Sequence, residues 1–244
     1  MKIVAVIPAY NEARTIRDVA ARTLNQLSEV IVVDDGSTDR TAAELGGLRV
    51  TLISNPENLG KGASLWRGFA VALAEGADAV VTLDADAQHQ PEDIPRLVEA
   101  WRAQPGRIVI GARVLDRDKA PPLRAFANRF ANFWVAWAAG CRVIDSQSGF
   151  RVYPAALLRR VKVAHGPGVR YAFESEILIE AGRAGVRSAA VPIATIYPPH
   201  ARPSYYRSAL DTALIVRMIA WKLVSRGLDL PALIRSLIPA KSEA

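Results

Sequence analysis

Short runs of apolar residues alternate along the chain with longer segments in which apolar positions recur every three or four residues. The runs read as buried strands, and the longer segments read as helices with one face packed. Strands are predicted at residues 3–7, 30–33, 50–53, 80–83 and 108–110. Between them, helices are predicted at 13–27, from about 40, at 63–74 and at 91–102. Ser37 or Thr38 is placed to cap the helix beginning near Arg40, and Pro91 suits a first helical turn. This alternation predicts an α/β fold, with a mostly parallel central sheet and helices on both faces.

After Arg113 the rhythm changes. Residues 115–122 are charged and proline-rich and read as a loop, and a helical pattern follows at 123–140 with Phe126, Phe130, Phe133, Trp134 and Trp137. A second loop at 145–151 precedes a segment at 153–161, and a third at 164–170 leads to a helix at 174–184. The last strand is expected at 186–196, and an amphipathic helix at 207–226 leaves 227–244 as a short tail. No linker or internal repeat divides the chain, so residues 1–226 read as one domain.

Half of the 244 residues are hydrophobic, which suits a substantial core and argues against disorder. The single cysteine, Cys141, cannot form an internal disulfide and fits a reducing cytosol, where it reads as core filling. Met1 leads directly into a strand-like segment, so no cleaved signal peptide is expected. No run of about 18 apolar residues predicts a membrane span. The formal charge of +7 is uneven, with acids mostly in the first half and arginines dominating after Arg102. The basic residues are scattered among apolar ones and match no nucleic-acid motif. Phosphorylated ligands and an anionic membrane surface are the partners this charge favours.

The chemistry gathers where strands end. The first strand ends at Pro8-Ala9-Tyr10-Asn11-Glu12, and the second at Asp34-Asp35-Gly36-Ser37-Thr38-Asp39. The third leads to Asn55 and Asn58-Leu59-Gly60-Lys61-Gly62, and the fourth to Asp84-Ala85-Asp86-Ala87-Gln88-His89. Each alone is ordinary turn composition. Carboxyl ends of parallel strands lie along one edge, so the four together predict a single crevice. If residues 84–88 stay extended, Asp84, Asp86 and Gln88 point the same way and offer oxygens to one hard cation against a diphosphate.

Taken together, these segments resemble the signatures of inverting family 2 glycosyltransferases with the GT-A fold. The nearest subgroup is that of the dolichol-phosphate (polyprenyl-phosphate) mannosyl- and glucosyltransferases. Asp145-Ser146-Gln147-Ser148-Gly149-Phe150-Arg151 and Phe173-Glu174-Ser175-Glu176-Ile177 extend the resemblance, which covers about residues 3 to 210. It implies a hexose transfer from a GDP-mannose or UDP-glucose type donor to polyprenyl or dolichyl phosphate. The alternative is a family 2 enzyme acting on a hydroxyl of a glycan or glycolipid.

By that resemblance, Pro8, Tyr10, Glu12, Asp35, Ser37, Lys61, Asp84 and Arg202 bind the nucleotide sugar, with Asp34 left to orient the loop. Asp84, Asp86 and Gln88 hold Mg²⁺ or Mn²⁺, with Asp86 the principal ligand, and His89 is either a loop histidine or a further ligand. Arg113, Arg124, Asn128 and Arg151 clamp the acceptor phosphate, although Arg124 reads equally well as a solvated helix residue. Asp86, Arg113 and Asp145 form the catalytic set. Asp145 is either a base for a hydroxyl acceptor or a partner for arginines, since an ionised phosphate needs no strong base. Glu174 and Glu176 read as acids at a helix N-terminus. The aromatic stripe of 126–137 is either core or membrane-facing, and the 207–226 helix suits peripheral contact with the inner face of the membrane. The oligomeric state is left open.

Overall fold

A computed structural model describes residues 1–113, 122–163, 172–194, 196, 208–225 and 227–237. Seven strands form one sheet: β1 (Ile3–Ala9), β2 (Glu29–Asp34), β3 (Thr51–Ser54), β4 (Ala79–Thr82), β5 (Ile108–Ala112), β6 (Arg151–Pro154) and β7 (Ser188–Pro192). Their order is β3-β2-β1-β4-β6-β5-β7. All neighbours pair in parallel except β6, which runs antiparallel to β4 and β5.

Both faces of the sheet are covered. Strand residues alternate sides, so Val4, Val6, Ile31 and Val33 join one core with α2 (Lys61–Ala74), α4 (Pro122–Ala139), α6 (Phe173–Arg183) and α7 (Ser208–Val224). Ile3, Ala5, Ile7, Val30 and Val32 join the other, under α1 (Ile16–Leu24) and α3 (Ile94–Ala103). Burial on both sides explains why β1 reads as an unbroken apolar run rather than an alternation. Gly68 brings α2 close to the sheet, because a Cβ there would run into Val6 Cγ1.

Several expectations change. The helix expected near Arg40 is only a 3-10 turn at Ala43–Leu45, because Gly46 and Gly47 follow directly. Arg17 donates to the carbonyls of Glu44 (2.7 Å) and Gly46 (3.0 Å), closing that turn. The segment 153–161 divides into the end of β6 and a short helix, α5 (Ala155–Leu158). Within the expected tail, α8 (Leu230–Leu237) forms and packs on α4. Trp137 Nε1 donates to the carbonyl of Asp229 at 3.0 Å. The expected loops at 115–122 and 164–170 fall almost wholly outside the described residues.

The topology also creates the crevice. β1 pairs with β4 only from Ile3 to Val6, whereas its pairing with β2 continues to Ala9. Pro8, which has no N–H to donate, lies past the last β4 pairing. Beyond Val6 the two strands therefore part, at the position where strand order reverses. Antiparallel β6 adds a second device: it begins at the edge where the parallel strands end, bringing residues 145–151 to the same crevice.

Candidate active site

The loops after β1 and β2 are stitched together by side chains. Asn11 takes a left-handed backbone (φ 54°), and its Oδ1 accepts from the backbone of Thr38 (2.8 Å) and Asp39 (3.3 Å). Its own N–H donates to Ser37 Oγ at 2.9 Å, and the Glu12 N–H donates to Thr41 Oγ1 at 2.8 Å. Asp34 accepts from the Ser37 N–H at 3.1 Å, in the loop-orienting part expected of it.

Asp35 is committed within the chain. Its carboxylate is buried and accepts from Asn55 Nδ2 (2.7 Å), the Leu59 N–H (2.9 Å) and the Gly60 N–H (2.9 Å). It therefore fixes the 58–60 loop, which carries Lys61 into the crevice at the start of α2. Three internal donors occupy three of the roughly four acceptor positions of a carboxylate and leave one open.

Lys61 Nζ lies 2.6 Å from Asp84 Oδ1 and 2.7 Å from Glu174 Oε1. Burial alone would lower the ammonium's pKa, but these two carboxylates override it and raise it. Burial likewise opposes ionisation of Asp84, yet Lys61 holds its carboxyl below the usual carboxylate range. Gly149 lies against this pair: a Cβ there would stand 2.8 and 2.9 Å from the Asp84 oxygens and 2.9 Å from Lys61 Nζ. Thr82 Oγ1 donates to the Gly149 carbonyl at 2.7 Å and anchors it.

The segment from Asp84 to Gln88 is a turn, not an extension of β4. Ala87 is left-handed (φ 60°), and the Gln88 N–H donates to Asp86 Oδ1 at 3.0 Å. The expected side-by-side display of residues 84, 86 and 88 along a strand is therefore replaced by a turn. Burial, then the adjacent Asp84, pushes the Asp86 carboxyl up to about 6, and Glu12 adds to this from across the crevice. His89 is buried against Phe150, with ring centres 5.3 Å apart, and burial pushes its pKa down to about 4. It is a neutral packed side chain near neutral pH.

On the other side, Arg113 and Asp145 form a two-pronged pair, with Nε and Nη2 each 3.0 Å from a carboxylate oxygen. The N–H groups of Arg113, Gln147 and Ser148 also donate to Asp145, at 3.1, 3.2 and 3.1 Å. Burial works against the charge, but these bonds, led by the Arg113 guanidinium, hold the Asp145 carboxyl below its usual range. Arg151 is fully buried and donates to the carbonyls of Ser148 (2.7 Å), Glu174 (2.8 Å) and Ser146 (2.8 Å) and to Tyr153 Oη (3.1 Å). It shapes the 145–151 loop and does not face the crevice, contrary to the expectation that it clamps phosphate. Asn128 is half-buried on α4, the Arg124 side chain is outside the described residues, and so is Arg202.

A divalent cation fits the chemistry of this donor set. Asp84 and Glu12 each repel Asp86, which is itself largely buried, and a dication would relieve that repulsion. Among the described residues no cluster of three His, Cys, Asp or Glu is arranged to hold an ion by itself. Diphosphate and water oxygens would have to complete the coordination shell, as suits Mg²⁺.

Residues 4–165 match the profile of Glycosyl transferase family 2. The chain belongs to this family. This family 2 enzyme is 30% identical over 238 residues to undecaprenyl-phosphate mannosyltransferase of Micrococcus luteus, covering 93% of this chain and 96% of that one. It is 29% identical over 242 residues to UDP-N-acetylglucosamine–dolichyl-phosphate N-acetylglucosaminyltransferase of Methanococcus voltae, covering 91% and 96%. A crystal structure of glucosyl-3-phosphoglycerate synthase from Mycobacterium tuberculosis with Mn²⁺, UDP-glucose and glycerol 3-phosphate superposes with a TM-score of 0.60. That pair is 25% identical, and the alignment covers 98% of this chain and 82% of that one. The fold of this glycosyltransferase is the GT-A fold expected from its sequence.

Glu174 is the group the sequence reading undervalued. In sequence it reads as an acid favoured by a helix N-terminus, yet its carboxylate is buried in the crevice on Lys61. Glu176 also does more than sit near a helix end, lying 2.9 Å from Lys222 Nζ and tying α6 to α7. The Phe173-Glu174-Ser175-Glu176 motif was the available signal, because two acids beside a buried phenylalanine need partners.

Proposed function

We propose that this glycosyltransferase moves a hexose from a nucleoside-diphosphate donor to a polyprenyl phosphate, with a divalent cation and inversion at the anomeric carbon. The observation that carries this reading is the crevice at the parting of β1 and β4. Asp84, Asp86 and Lys61 line its floor, and Arg113 stands in the same electrostatic neighbourhood. Both full-length relatives described above are named for polyprenyl-type phosphate acceptors, which supports the acceptor class.

Asp86, with Asp84 and Gln88, would hold the cation, which would supply positive charge to the departing diphosphate. The loops bearing Tyr10, Glu12 and Ser37 would cradle the nucleoside. Arg113, oriented by Asp145, would face the acceptor phosphate, where a planar guanidinium suits two-pronged binding. Arg124, Asn128 and Arg202 are proposed for the same anionic ligands.

The state of Asp145 favours an acceptor that is already ionised. A carboxylate gripped by Arg113 and three N–H groups, with its pKa depressed, is a poor proton acceptor. A hydroxyl acceptor would need a base, and Asp145 is the candidate for it.

Large apolar side chains are exposed on three helices that pack together: Phe130 on α4, Trp221 and Val224 on α7, and Leu230, Ile234 and Leu237 on α8. Among the described residues no helix is long and apolar enough to cross a membrane. We assign this apolar surface to peripheral contact with the bilayer that holds the lipid acceptor.

Calorimetric titration of UDP- and GDP-hexoses, with and without Mn²⁺, tests the donor half of the reading. Metal-dependent binding that disappears in Asp86→Ala is expected. Binding unaffected by Mn²⁺ and by the substitution would contradict the roles given to Asp86 and the cation.

A further inference from the structure

Lys61 is held by two acids that answer to different neighbours. Asp84 belongs to the turn after β4, while Glu174 opens α6 on the opposite wall. The ammonium bridges them at 2.6 and 2.7 Å. Glu174 is only 6% exposed, and its second oxygen, Oε2, is buried with no hydrogen-bond partner among the described residues. A buried carboxylate oxygen without a donor is costly, so an unused acceptor here needs a reason. An ammonium has three donors, and two are accounted for by these contacts. Glu174 therefore has the capacity to take a second bond from the same nitrogen. The backbone also leaves this contact little spare room, since even a Cβ on Gly149 would stand within 2.9 Å of both Lys61 Nζ and Asp84.

We propose that Lys61 is an internal stand-in for the divalent cation on Asp84, and that Glu174 receives Lys61 when the cation binds. This rests on the metal-dependent reading above. An ammonium at 2.6 Å and a dication cannot both sit against the Asp84 carboxylate without strong repulsion. Without Glu174 the displaced ammonium would have to leave the crevice or continue to compete. With Glu174, which it already touches at 2.7 Å, it stays in the crevice by releasing Asp84 and keeping the second acid. Glu174 is thus a positioning residue, acting through Lys61.

Direct Mn²⁺ binding, measured by electron paramagnetic resonance on the intact chain with saturating UDP or GDP, tests this through a double-mutant cycle. Lys61→Met should bind Mn²⁺ roughly tenfold more tightly because the competitor is gone, and Glu174→Gln roughly tenfold more weakly. In the Lys61→Met background, Glu174→Gln should have little further effect. If Glu174→Gln weakens Mn²⁺ equally in both backgrounds, its charge acts on the metal alone and the proposal fails. It fails equally if Lys61→Met binds Mn²⁺ no more tightly than the parent. A measurement needing no substitution guards against misfolded variants: with ¹⁵N-labelled lysine, Mg²⁺ should shift the Lys61 ammonium resonance, and an unmoved resonance at saturation would overturn the exchange. Wild-type protein that binds neither ion, even with UDP or GDP present, would instead remove the metal-dependent function itself.

Discussion

Asp86 is the residue where the charge economy of the crevice is most exposed to test. Its carboxyl, pushed up to about 6, holds its proton more tightly in the folded chain than in the unfolded one. That contribution to stability is complete below the ordinary carboxylate range and is lost as pH rises through about 6. His89 acts in the opposite sense: with a folded pKa of about 4 against an ordinary 6.5, it costs stability as pH falls from 6.5 toward 4. Asp86→Asn should therefore raise the melting temperature at pH 7, by about 2–4 °C if roughly 1 kcal/mol of repulsion is relieved. It should also lower sugar transfer by about a hundredfold or more. A parallel melting and activity series checks both, and a variant that loses stability at pH 7 would contradict the assignment of repulsion. Arg151→Met makes the reverse case: its four hydrogen bonds are internal, so it should cost about 3 kcal/mol in denaturant unfolding. Acceptor KM should not rise in whatever folded enzyme remains. Motif identity was legible at this scale, but partner choice was not. Nothing in the sequence says that Asp35 bonds to Asn55, Leu59 and Gly60, because those partners lie 20 to 25 residues away. Nor does composition say that Arg151 turns inward onto the carbonyls of its own loop and of Glu174.

Elements followed the hydrophobic pattern wherever the pattern was long and two-sided. The five strands of the first half and the helices α1, α2 and α3 lie close to the residues expected. The failures have local causes. Near Arg40 a plausible cap precedes a segment cut short by Gly46-Gly47, and after β4 the extended display gives way to a turn closed by the Gln88 N–H on Asp86. The reversal of β6 could not be read from composition, since a short apolar strand looks alike in either direction. That reversal is what sets Gly149 beside Asp84. The close seating of α2 on β1 matters equally, because α2 begins with Lys61. Gly68→Ala should push α2 away from Val6 and cost about 1–3 kcal/mol. Thermal unfolding measures this directly, and an unchanged melting temperature would show that the contact yields easily.

At the scale of the whole molecule, the proposed contact with an anionic membrane surface rests on the charge of +7 and on the exposed apolar residues of α4, α7 and α8. The helix expected at 207–226 corresponds to α7, whereas the eight residues of α8 read in sequence as part of a tail. Trp221→Ser with Ile234→Ser should reduce co-sedimentation with vesicles containing anionic lipid by about tenfold, without changing the circular dichroism spectrum. Equal partitioning of variant and parent would remove this surface from membrane contact. The central claim concerns the acceptor, and one assay addresses it most directly: transfer of labelled hexose, with Mn²⁺, to a short polyprenyl phosphate and to the same polyprenol without its phosphate. The account predicts product with the phosphate alone, carrying the inverted anomer. Transfer to the free alcohol instead would contradict it, and would return Asp145 to the role of base.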